Sequence, residues 1–462
     1  MIQVGSVNTH IKGRVIEPRD PDYDDARTVF VGGIDRHPSL IVRPADANDV
    51  VTAIALAREN GLALAVRSGG HSALGDGVTE GGLVIDLRGL RGIAIDTKER
   101  TAWAGGGITS GEYANVTHAY GLATGFGDTP SVGIGGLALG GGVGYLSRKF
   151  GLSIDDLVAA EIVTADGAVQ QIDGSSNPDL FWAIRGGGGN FGVVTRFKFR
   201  LHEVDTVFGG MLMLPATPQV IESFVTHATA APDELSTIAN VMPAPPLPFV
   251  PVEHHGKLVI LIQMVYAGLL GEGEQVVAPF RAMGPLVDIL RPMPYPQIYP
   301  PEDPNFHPMA TNRVMFMDGI DREGAETIVD HLEHSDARLR IAQIRVLGGA
   351  IARVPSEATA YAHRSRRVMV NVTAVFGHPQ EAPRYRSWAE EFRTALQKGN
   401  PGAYVNFLAD DGQARIREAY PGETWDRLRE IKRRYDPANL FRLNHNVPPA
   451  AFDSLRGSTS RS

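Results

Sequence analysis

His71 is the residue of this sequence whose type and setting point most directly to chemistry. It closes the segment Leu64-Ala-Val-Arg-Ser-Gly-Gly-His-Ser72, in which the apolar run Leu62 to Val66 predicts a buried strand leading into a turn. Gly69 and Gly70 allow a positive φ and let main-chain N–H groups approach an anion. Imidazole is a nucleophile near neutral pH. The segment therefore predicts either a cradle for a phosphorylated cofactor or a structural turn.

A second glycine-rich segment has the sequence Gly133-Ile-Gly-Gly-Leu-Ala-Leu-Gly-Gly-Gly-Val-Gly144. Its small residues let another surface come close. That surface is either a phosphate facing the N–H groups of a helix start or simply another part of the protein. The acidic residue that a Rossmann fold needs at the end of a second strand, ~20 positions on, is not in that context. A nicotinamide-binding Rossmann domain is therefore not predicted.

Three further polar residues lie near the C-terminus. The motif Ala403-Tyr-Val-Asn-Phe407 contains Tyr404, whose phenol could orient a substrate or, with a lowered pKa, abstract a proton. The alternative is a buried tyrosine satisfied by one hydrogen bond. Asn444 and Asn446 have amides that either bind a ligand or close the chain back on its first domain.

The elements that must position these residues mix helices and strands. Asp46 or Asn48 predicts a helix cap, and Gly61 is placed to end that helix. Hairpins are predicted at residues 93–104 and 157–172, and a capped helix at Asn177-Pro178. A glycine loop, residues 186–192, then feeds a strand over 193–201. This order predicts an α+β domain and not a strict βαβ repeat.

After residue 206 the pattern changes to strands alternating with helices. Strands are predicted at 208–214, 258–266, 341–347 and 368–375, and helices at 219–231, 272–283, 323–334 and 383–398. This pattern predicts a sheet with helices on one face. Proline-rich stretches at 243–251 and 285–308 predict surface loops or lids. The last helix, 424–435, has a charge run that predicts a solvated face: Arg427, Arg429, Lys432, Arg433 and Arg434.

The composition bounds the class of protein. The 462 residues predict two or three domains, and 43% hydrophobic and 21% charged residues are typical of a soluble globular protein. A net charge of −8 predicts no nucleic-acid or anionic-membrane partner, and no apolar run reaches the ~20 residues that span a bilayer. No cysteine is present, and no metal site is predicted. The first residues lack a signal-peptide pattern, which predicts a cytoplasmic protein.

Four motifs together resemble one family. Arg67-Ser-Gly-Gly-His71, Gly133-Ile-Gly-Gly136, Gly140-Gly-Gly-Val-Gly144 and Gly189-Asn-Phe-Gly-Val-Val194 have the order and spacing of FAD-linked oxidases of the berberine bridge enzyme type, in the vanillyl-alcohol oxidase superfamily. The segment Tyr435-Asp-Pro-Ala-Asn-Leu-Phe-Arg-Leu-Asn-His-Asn446 resembles the family's closing motif. The likeness is greatest to bacterial monocovalent members of the 6-hydroxy-D-nicotine oxidase kind. It spans essentially the whole chain and is weakest from 206 to 396.

The resemblance implies a domain plan and a cofactor. The plan is a two-lobed FAD-binding domain of the PCMH type (1–204), a substrate domain with an antiparallel sheet covered by helices (205–402), and a C-terminal segment (403–462) returning to the FAD domain. His71 would carry FAD covalently through a ring nitrogen and the flavin 8α-methyl. Many relatives add a second bond from a cysteine where this chain has Thr129, so the expectation is a monocovalent flavin.

The resemblance also implies the site residues. Tyr404 and Asn406 would lie on the substrate side of the flavin as the catalytic residues. The implied FAD-binding residues are Arg67, Ser68, Gly69, Gly70, His71, Ser72, Thr129, Gly133, Gly135, Gly136, Gly140, Gly141, Gly142, Gly144, Tyr145, Gly189, Val194, Tyr404, Asn444 and Asn446.

The predicted activity is that of an FAD-dependent oxidase. It would pass hydride from a small organic substrate, such as an alcohol, amine or secondary metabolite, to flavin N5, with O₂ reoxidising the flavin to give H₂O₂. Two alternatives remain open: a flavin dehydrogenase or oxygenase of a biosynthetic pathway, and a non-catalytic resistance protein that sequesters a drug-like aromatic compound. The expected partners are the substrate and O₂, and the expected state is a monomer or homodimer.

Overall fold

The computed structural model describes residues 11–399 and 401–451, so the outer ends of the predicted first and last domains, 1–10 and 452–462, lie outside the described residues. In this part of the chain the strands form sheets of four, five and eight strands and one two-stranded ribbon. The architecture is therefore α+β, and the predicted class is confirmed.

The four-stranded sheet carries the turn with His71. Its strands are β1 (Arg14–Ile16), β2 (Leu40–Arg43), β3 (Leu64–Arg67) and β4 (Leu83–Asp86), in the order β1-β2-β4-β3. Helix α1 (Tyr23–Arg27) precedes β2, and helix α2 (Ala47–Glu59) follows it. The Asp46 carboxylate accepts hydrogen bonds from the N–H groups of Asn48 and Asp49 and so caps α2, which confirms the predicted start. The apolar face of α2 packs on this sheet.

The five-stranded sheet is antiparallel and contains both predicted hairpins. Its strands are β5 (Ile93–Asp96), β6 (Thr101–Gly105), β8 (Leu157–Val163), β9 (Val169–Asp173) and β10 (Val193–Arg200), in the order β5-β6-β10-β8-β9. The ribbon pairs β7 (Leu122–Ala123) with β11 (His202–Glu203). The helices of this region are α3 (Ser110–His118), α4 (Ile134–Gly140), α5 (Ser147–Phe150) and α6 (Pro178–Ile184). Asn177 precedes α6 as predicted, but its side chain makes no capping hydrogen bond.

The eight-stranded sheet has helices packed on one face, as the sequence predicted. Its strands are β12 (Thr206–Pro215), β13 (Leu235–Pro243), β14 (Leu258–Tyr266), β15 (Val287–Asp288), β16 (Arg291–Pro294), β17 (Met309–Met317), β18 (Leu339–Val346) and β19 (Val368–Phe376). The helices that cover the sheet are α7 (Pro218–Ala230), α8 (Gly273–Arg281), α9 (Arg322–Glu333) and α11 (Ala382–Leu396); α10 (Ala350–Arg353) is short. Strands β13 and β17 escaped the sequence analysis because polar residues such as Asn240 and Asn312 interrupt their apolar pattern.

The second proline-rich stretch is not simply a loop. Strands β15 and β16 both pair with β12 and lie at one edge of the sheet. The Tyr295 side chain, which follows β16, is fully buried. The prediction of a loop or lid over 285–308 is wrong for these residues. Proline lacks the N–H group of an inner strand but is tolerated at the edge of a sheet, which is where β16 lies.

The last helices close the chain on the five-stranded sheet. They are α12 (Gly412–Ala419) and α13 (Glu423–Tyr435). Lys432 is fully buried: its Nζ donates to the Asp436 carboxylate at 2.6 Å and to the main-chain oxygens of Asn190 and Phe441. The prediction of a solvated charge run is therefore wrong for Lys432, because a buried carboxylate four residues on supplies its partner.

Two structural absences hold for residues 11–399 and 401–451. Every helix there is too short or too polar to cross a lipid bilayer. These residues also hold no grouping of three His, Asp or Glu side chains able to bind a metal ion.

Candidate functional site

The turn that carries His71 packs against the glycine-rich segment that begins at Gly133. The turn after β3 places Gly70 at φ +77°, a conformation that favours glycine. A Cβ atom on Gly69 would lie 2.3 Å from the main-chain nitrogen of Gly133, and one on Gly133 would lie 2.1 Å from Ser68 Oγ. Only glycine permits this contact, so the His71 turn is fixed against the start of α4.

His71 sits between an aromatic ring and a hydroxyl group. Its ring stacks on Phe30, with ring centroids 4.2 Å apart and an interplanar angle of 19°. Its Nε2 lies 2.9 Å from Ser131 Oγ. Burial lowers the pKa of His71 to about 4, so the imidazole is neutral at physiological pH. A neutral imidazole keeps one nitrogen lone pair, which is the form a nucleophile needs.

The other end of α4 holds the predicted catalytic pair. Asn406 Nδ2 donates to the main-chain oxygen of Leu137 at 2.9 Å and to the Tyr404 hydroxyl at 2.9 Å. The N–H of Gly142 donates a second hydrogen bond to that hydroxyl at 2.8 Å. A Cβ atom on Gly140 would lie 2.0 Å from Asn406 Oδ1, so this glycine makes room for the pair. Tyr404 and Asn406 are therefore brought together with the glycine-rich segment.

Tyr404 is held as a neutral phenol. Burial raises its pKa, against smaller opposite effects of the hydrogen bonds from Gly142 and Asn406 and of the nearby Arg345 charge. This raised pKa argues against a base with a lowered pKa, one of the roles that the sequence left open for Tyr404.

The glycines of residues 133–144 differ in what surrounds them. Gly135 and Gly144 are packing positions, since a Cβ atom there would meet the main-chain oxygens of Gly106 and Phe126. Gly136 is different, because a Cβ atom on it would meet nothing within 4 Å. Gly141, with φ +139°, packs beside the Tyr404 ring.

The C-terminal segment returns to the glycine loop before β10. Asn444 Nδ2 donates to the main-chain oxygens of Gly189 and Phe441, and Asn190 binds the main chain of His445 and Val447. The amide oxygens of Asn444 and Asn446 are buried and have no hydrogen-bond partner among residues 11–399 and 401–451. Buried polar atoms of this kind require a partner, so a ligand with N–H donors fits here.

Several of the predicted FAD-binding residues contact other groups of the protein. The Arg67 guanidinium donates to the Asp86 carboxylate, in a buried cluster with Arg43 and Arg88. Three more of the predicted residues make contacts within the protein or are buried in it. Val194 is buried in β10, Tyr145 packs 6.0 Å from the Tyr299 ring, and Ser72 accepts a hydrogen bond from the N–H of Leu74.

Thr129 lies in the segment that faces His71. Its neighbour Asp128 pairs with Arg345 of β18 at 2.6 Å, and Ser131 makes the contact with His71. Thr129 therefore lies two residues before the serine that contacts His71.

Four residues at or near the site were not identified from the sequence. Ser131 lies between Thr129 and the glycine-rich segment that begins at Gly133, so its position in the sequence could have indicated it. Glu302, Tyr361 and Arg345 carried no local signal. The Tyr361 ring lies 6.0 Å from that of Tyr404, and its buried hydroxyl has no hydrogen-bond partner within the described residues.

The helix-free face of the eight-stranded sheet meets this region with polar side chains. Gln343 donates to Asn240 and accepts from Arg345, and Arg345 also donates to the main-chain oxygen of Val143. Asn312 donates to the main-chain oxygen of Phe407, three residues after Tyr404. The sheet is thereby attached to both the glycine-rich segment and the Tyr404 motif.

Comparison with known proteins gives matches over nearly the whole chain. Family models described as "FAD binding domain" and "Berberine and berberine like" match residues 38–173 and 403–448. The chain is 32% identical to (R)-6-hydroxynicotine oxidase of Paenarthrobacter nicotinovorans, covering 95% of this chain and 97% of the relative. It is 27% identical to xylooligosaccharide oxidase of Thermothelomyces thermophilus, covering 89% and 88%. A crystal structure of 6-hydroxy-D-nicotine oxidase from Arthrobacter nicotinovorans superposes with a TM-score of 0.85 at 28% identity, covering 95% and 98%.

Proposed function

The chain belongs to the berberine-bridge-type family of FAD-linked oxidoreductases, and from that premise we propose that it is an oxidase of a small organic molecule that carries its FAD on His71. The substrate would be oxidised by loss of hydride, O₂ would be the final acceptor, and the role would be in secondary metabolism. The relatives named as oxidases of 6-hydroxynicotine and of xylooligosaccharides support an oxidase. Their differing substrates leave the substrate of this chain to be found by experiment.

One observation carries the proposal: the His71 turn and the Tyr404 motif both contact helix α4. The turn packs on Gly133 at the start of α4, and Asn406 binds Leu137 within it. Seven residues at 1.5 Å each separate the two ends of the helix by about 10 Å. The histidine that would hold the flavin and the phenol that would orient the substrate are therefore both positioned by one glycine-rich helix.

The residues present fit FAD. In the part of the chain that the structure describes, the amide oxygens of Asn444 and Asn446 lack hydrogen-bond partners. The flavin pyrimidine edge offers N–H groups to such oxygens. Gly136 faces open space where a side chain would have filled it. The absence of cysteine supports attachment through His71 alone, because Thr129 has no thiol for a second bond.

Bound FAD would supply the two-electron acceptor. The residues of the chain would bind the cofactor and orient the substrate. Tyr404, neutral because burial raises its pKa, would donate a hydrogen bond to a substrate oxygen or nitrogen. Asn406 and Gly142 hold the phenol oxygen in place through the two hydrogen bonds that it accepts. The polar face of the eight-stranded sheet would contribute amide groups to substrate binding.

The test is the intact mass of acid-denatured protein together with the colour of the precipitate. The expected result is a mass increased by one FAD and a yellow pellet for the wild type. The pellet of the His71→Ala variant should be colourless. His334→Ala, at an exposed histidine, is the matched control and should stay yellow.

Substrate turnover separates an oxidase from its alternatives. Rapid reoxidation of the reduced flavin by air with stoichiometric H₂O₂ supports the oxidase. Slow reoxidation in air with fast dye reduction would instead indicate a dehydrogenase. Ligand binding without flavin reduction under anaerobic conditions would indicate a sequestering protein.

A further inference from the structure

A carboxylate from the substrate-domain side of the chain reaches the residue that contacts His71. Ser131 Oγ donates to Glu302 Oε1 at 2.8 Å, and the N–H of Ser131 donates to Glu302 Oε2 at 3.0 Å. Both carboxylate oxygens of Glu302 are thus directed at one serine, whose hydroxyl lies 2.9 Å from His71 Nε2. The three side chains form a continuous line from imidazole to hydroxyl to carboxylate.

The segment that carries Glu302 is held over His71 at a second point. His307 Nδ1 lies 3.0 Å from the main-chain oxygen of Val29, and the N–H of Gly32 donates to the main-chain oxygen of Pro308. These contacts flank Phe30, the residue whose ring stacks on His71. Residues 302–308 therefore contact both neighbours of the imidazole, Ser131 on one side and the Phe30 segment on the other.

The hydrogen bonds determine which nitrogen of His71 carries the proton. The Ser131 hydroxyl has one proton, and the Glu302 carboxylate accepts it. The serine oxygen can then only accept from His71, so Nε2 is the protonated nitrogen and Nδ1 holds the lone pair. Among the described residues, Nδ1 has no hydrogen-bond partner.

We propose that Ser131 and Glu302 are positioning residues for the attachment of FAD: they present Nδ1 of His71 as the nucleophile and take up the proton that Nε2 loses when the bond forms. This inference rests on the proposed function, because it presupposes that FAD is attached through His71.

Nδ1 of His71 forms a bond to the methyl carbon of the flavin ring, and one C–H bond of that methyl breaks with loss of its proton to solvent. The Nε2 proton passes to Ser131 Oγ while the Ser131 proton passes to Glu302. The two electrons released go to the flavin ring, from which O₂ takes them with two protons to give H₂O₂. The product imidazole is neutral, with Nε2 now accepting from Ser131.

Few charged groups near this line could replace Glu302. The loop after His71 carries Asp76, which faces Arg36 at 4.0 Å, and Asp128 before Ser131 is paired with Arg345. His307 on the Glu302 segment binds main-chain oxygens. Glu302 is thus the carboxylate hydrogen-bonded to Ser131, and it is exposed enough to return its proton to water.

The test follows covalent attachment and not turnover. Flavin-free full-length protein from a riboflavin-limited host is mixed with FAD, and the flavin retained by acid-precipitated protein is measured over time at several pH values. Ser131→Ala and Glu302→Gln should slow attachment by about 10²-fold, the scale of lost proton-transfer assistance. Ser131→Thr, which keeps the hydroxyl, should restore most of the rate. The matched controls are Ser356→Ala and Glu253→Gln, at exposed positions.

The pH profile separates proton uptake from a purely structural role. With Glu302→Gln the rate should rise about tenfold per pH unit, because hydroxide must now take the proton. The wild-type rate should be nearly flat above neutral pH. A loss that is equal at every pH would overturn the role of Glu302 in proton transfer, and wild-type rates in both variants would overturn the proposal while leaving the tether intact. If the wild type attaches no FAD, the proposed tether itself is wrong.

Discussion

Asn406 donates a hydrogen bond from Nδ2 to the hydroxyl oxygen of Tyr404 over 2.9 Å, and the same amide binds the main chain of helix α4. With a second donor, the N–H of Gly142, the phenol oxygen accepts two hydrogen bonds. The single proton of the phenol is then free to be donated to another molecule. This arrangement makes Tyr404 a fixed hydrogen-bond donor at the end of the glycine-rich segment.

Removing that donor should slow substrate oxidation without releasing the cofactor. For Tyr404→Phe we expect kcat/KM to fall by about 10²- to 10³-fold, the range for a lost hydrogen bond to a reacting group. Flavin content after acid precipitation should equal that of the wild type, because His71 is untouched. The matched control is Tyr120→Phe, at an exposed tyrosine.

The pH dependence of the wild type tests the role of Tyr404 independently. A hydrogen-bond donor is active while protonated, and burial raises the pKa of Tyr404 above its ordinary value of 10.0. The anaerobic rate of flavin reduction should therefore show no loss from ionisation of this phenol up to about pH 10. A rate that increases tenfold per pH unit below pH 10, and does so only when Tyr404 is present, would identify a base instead.

Replacing Lys432 should destabilise the fold. Lys432→Met leaves the Asp436 carboxylate buried and the oxygens of Asn190 and Phe441 without their donor. Breaking a buried pair by removing one partner costs about 3–5 kcal/mol, measured as the free energy of unfolding in urea. Lys398→Met, at an exposed lysine, should leave that free energy nearly unchanged. Equal stability of both variants would contradict the buried ion pair.

Acid should weaken the fold through Asp86. Burial alone raises the pKa of this carboxyl, but Arg67, Arg88 and Arg43 together lower it to about 2. A carboxyl whose pKa is lowered in the folded protein stabilises the fold at pH values above its pKa in the unfolded chain, which is about 3.9. That stabilisation is lost as the pH falls through the folded-state pKa of about 2. At pH 7, Asp86→Asn should cost about 2–3 kcal/mol, and the difference from wild type should shrink with falling pH.

The measurement for Asp86 is the free energy of unfolding of both proteins between pH 7 and pH 2. Asp318→Asn, at an exposed aspartate, is the control. A difference that stays constant over the whole pH range would mean that Asp86 titrates with its ordinary pKa.

Much of the fold was predictable because its signals are local. The Asp46 cap, the Asp166-Gly167 hairpin and the alternation of strands and helices after residue 206 each depend on residues within a few positions of one another. Strands β13 and β17 were missed because their polar residues face the site and not a hydrophobic core. The edge strand β16 was missed because its prolines indicate a loop when no partner strand is known.

The sequence by itself determined the chemistry that the site can contain: a histidine after two glycines, a glycine-rich helix, a tyrosine with an asparagine two residues on, and no cysteine. Only the tertiary structure decided which of these groups meet and in what ionisation state. Glu302 lies 171 positions from Ser131, and Lys432 donates to the main-chain oxygen of Asn190, 242 positions away. The pKa of Tyr404 is raised by burial among its surrounding residues. Such effects depend on desolvation and on contacts between distant segments, and neither is encoded in any short stretch of sequence.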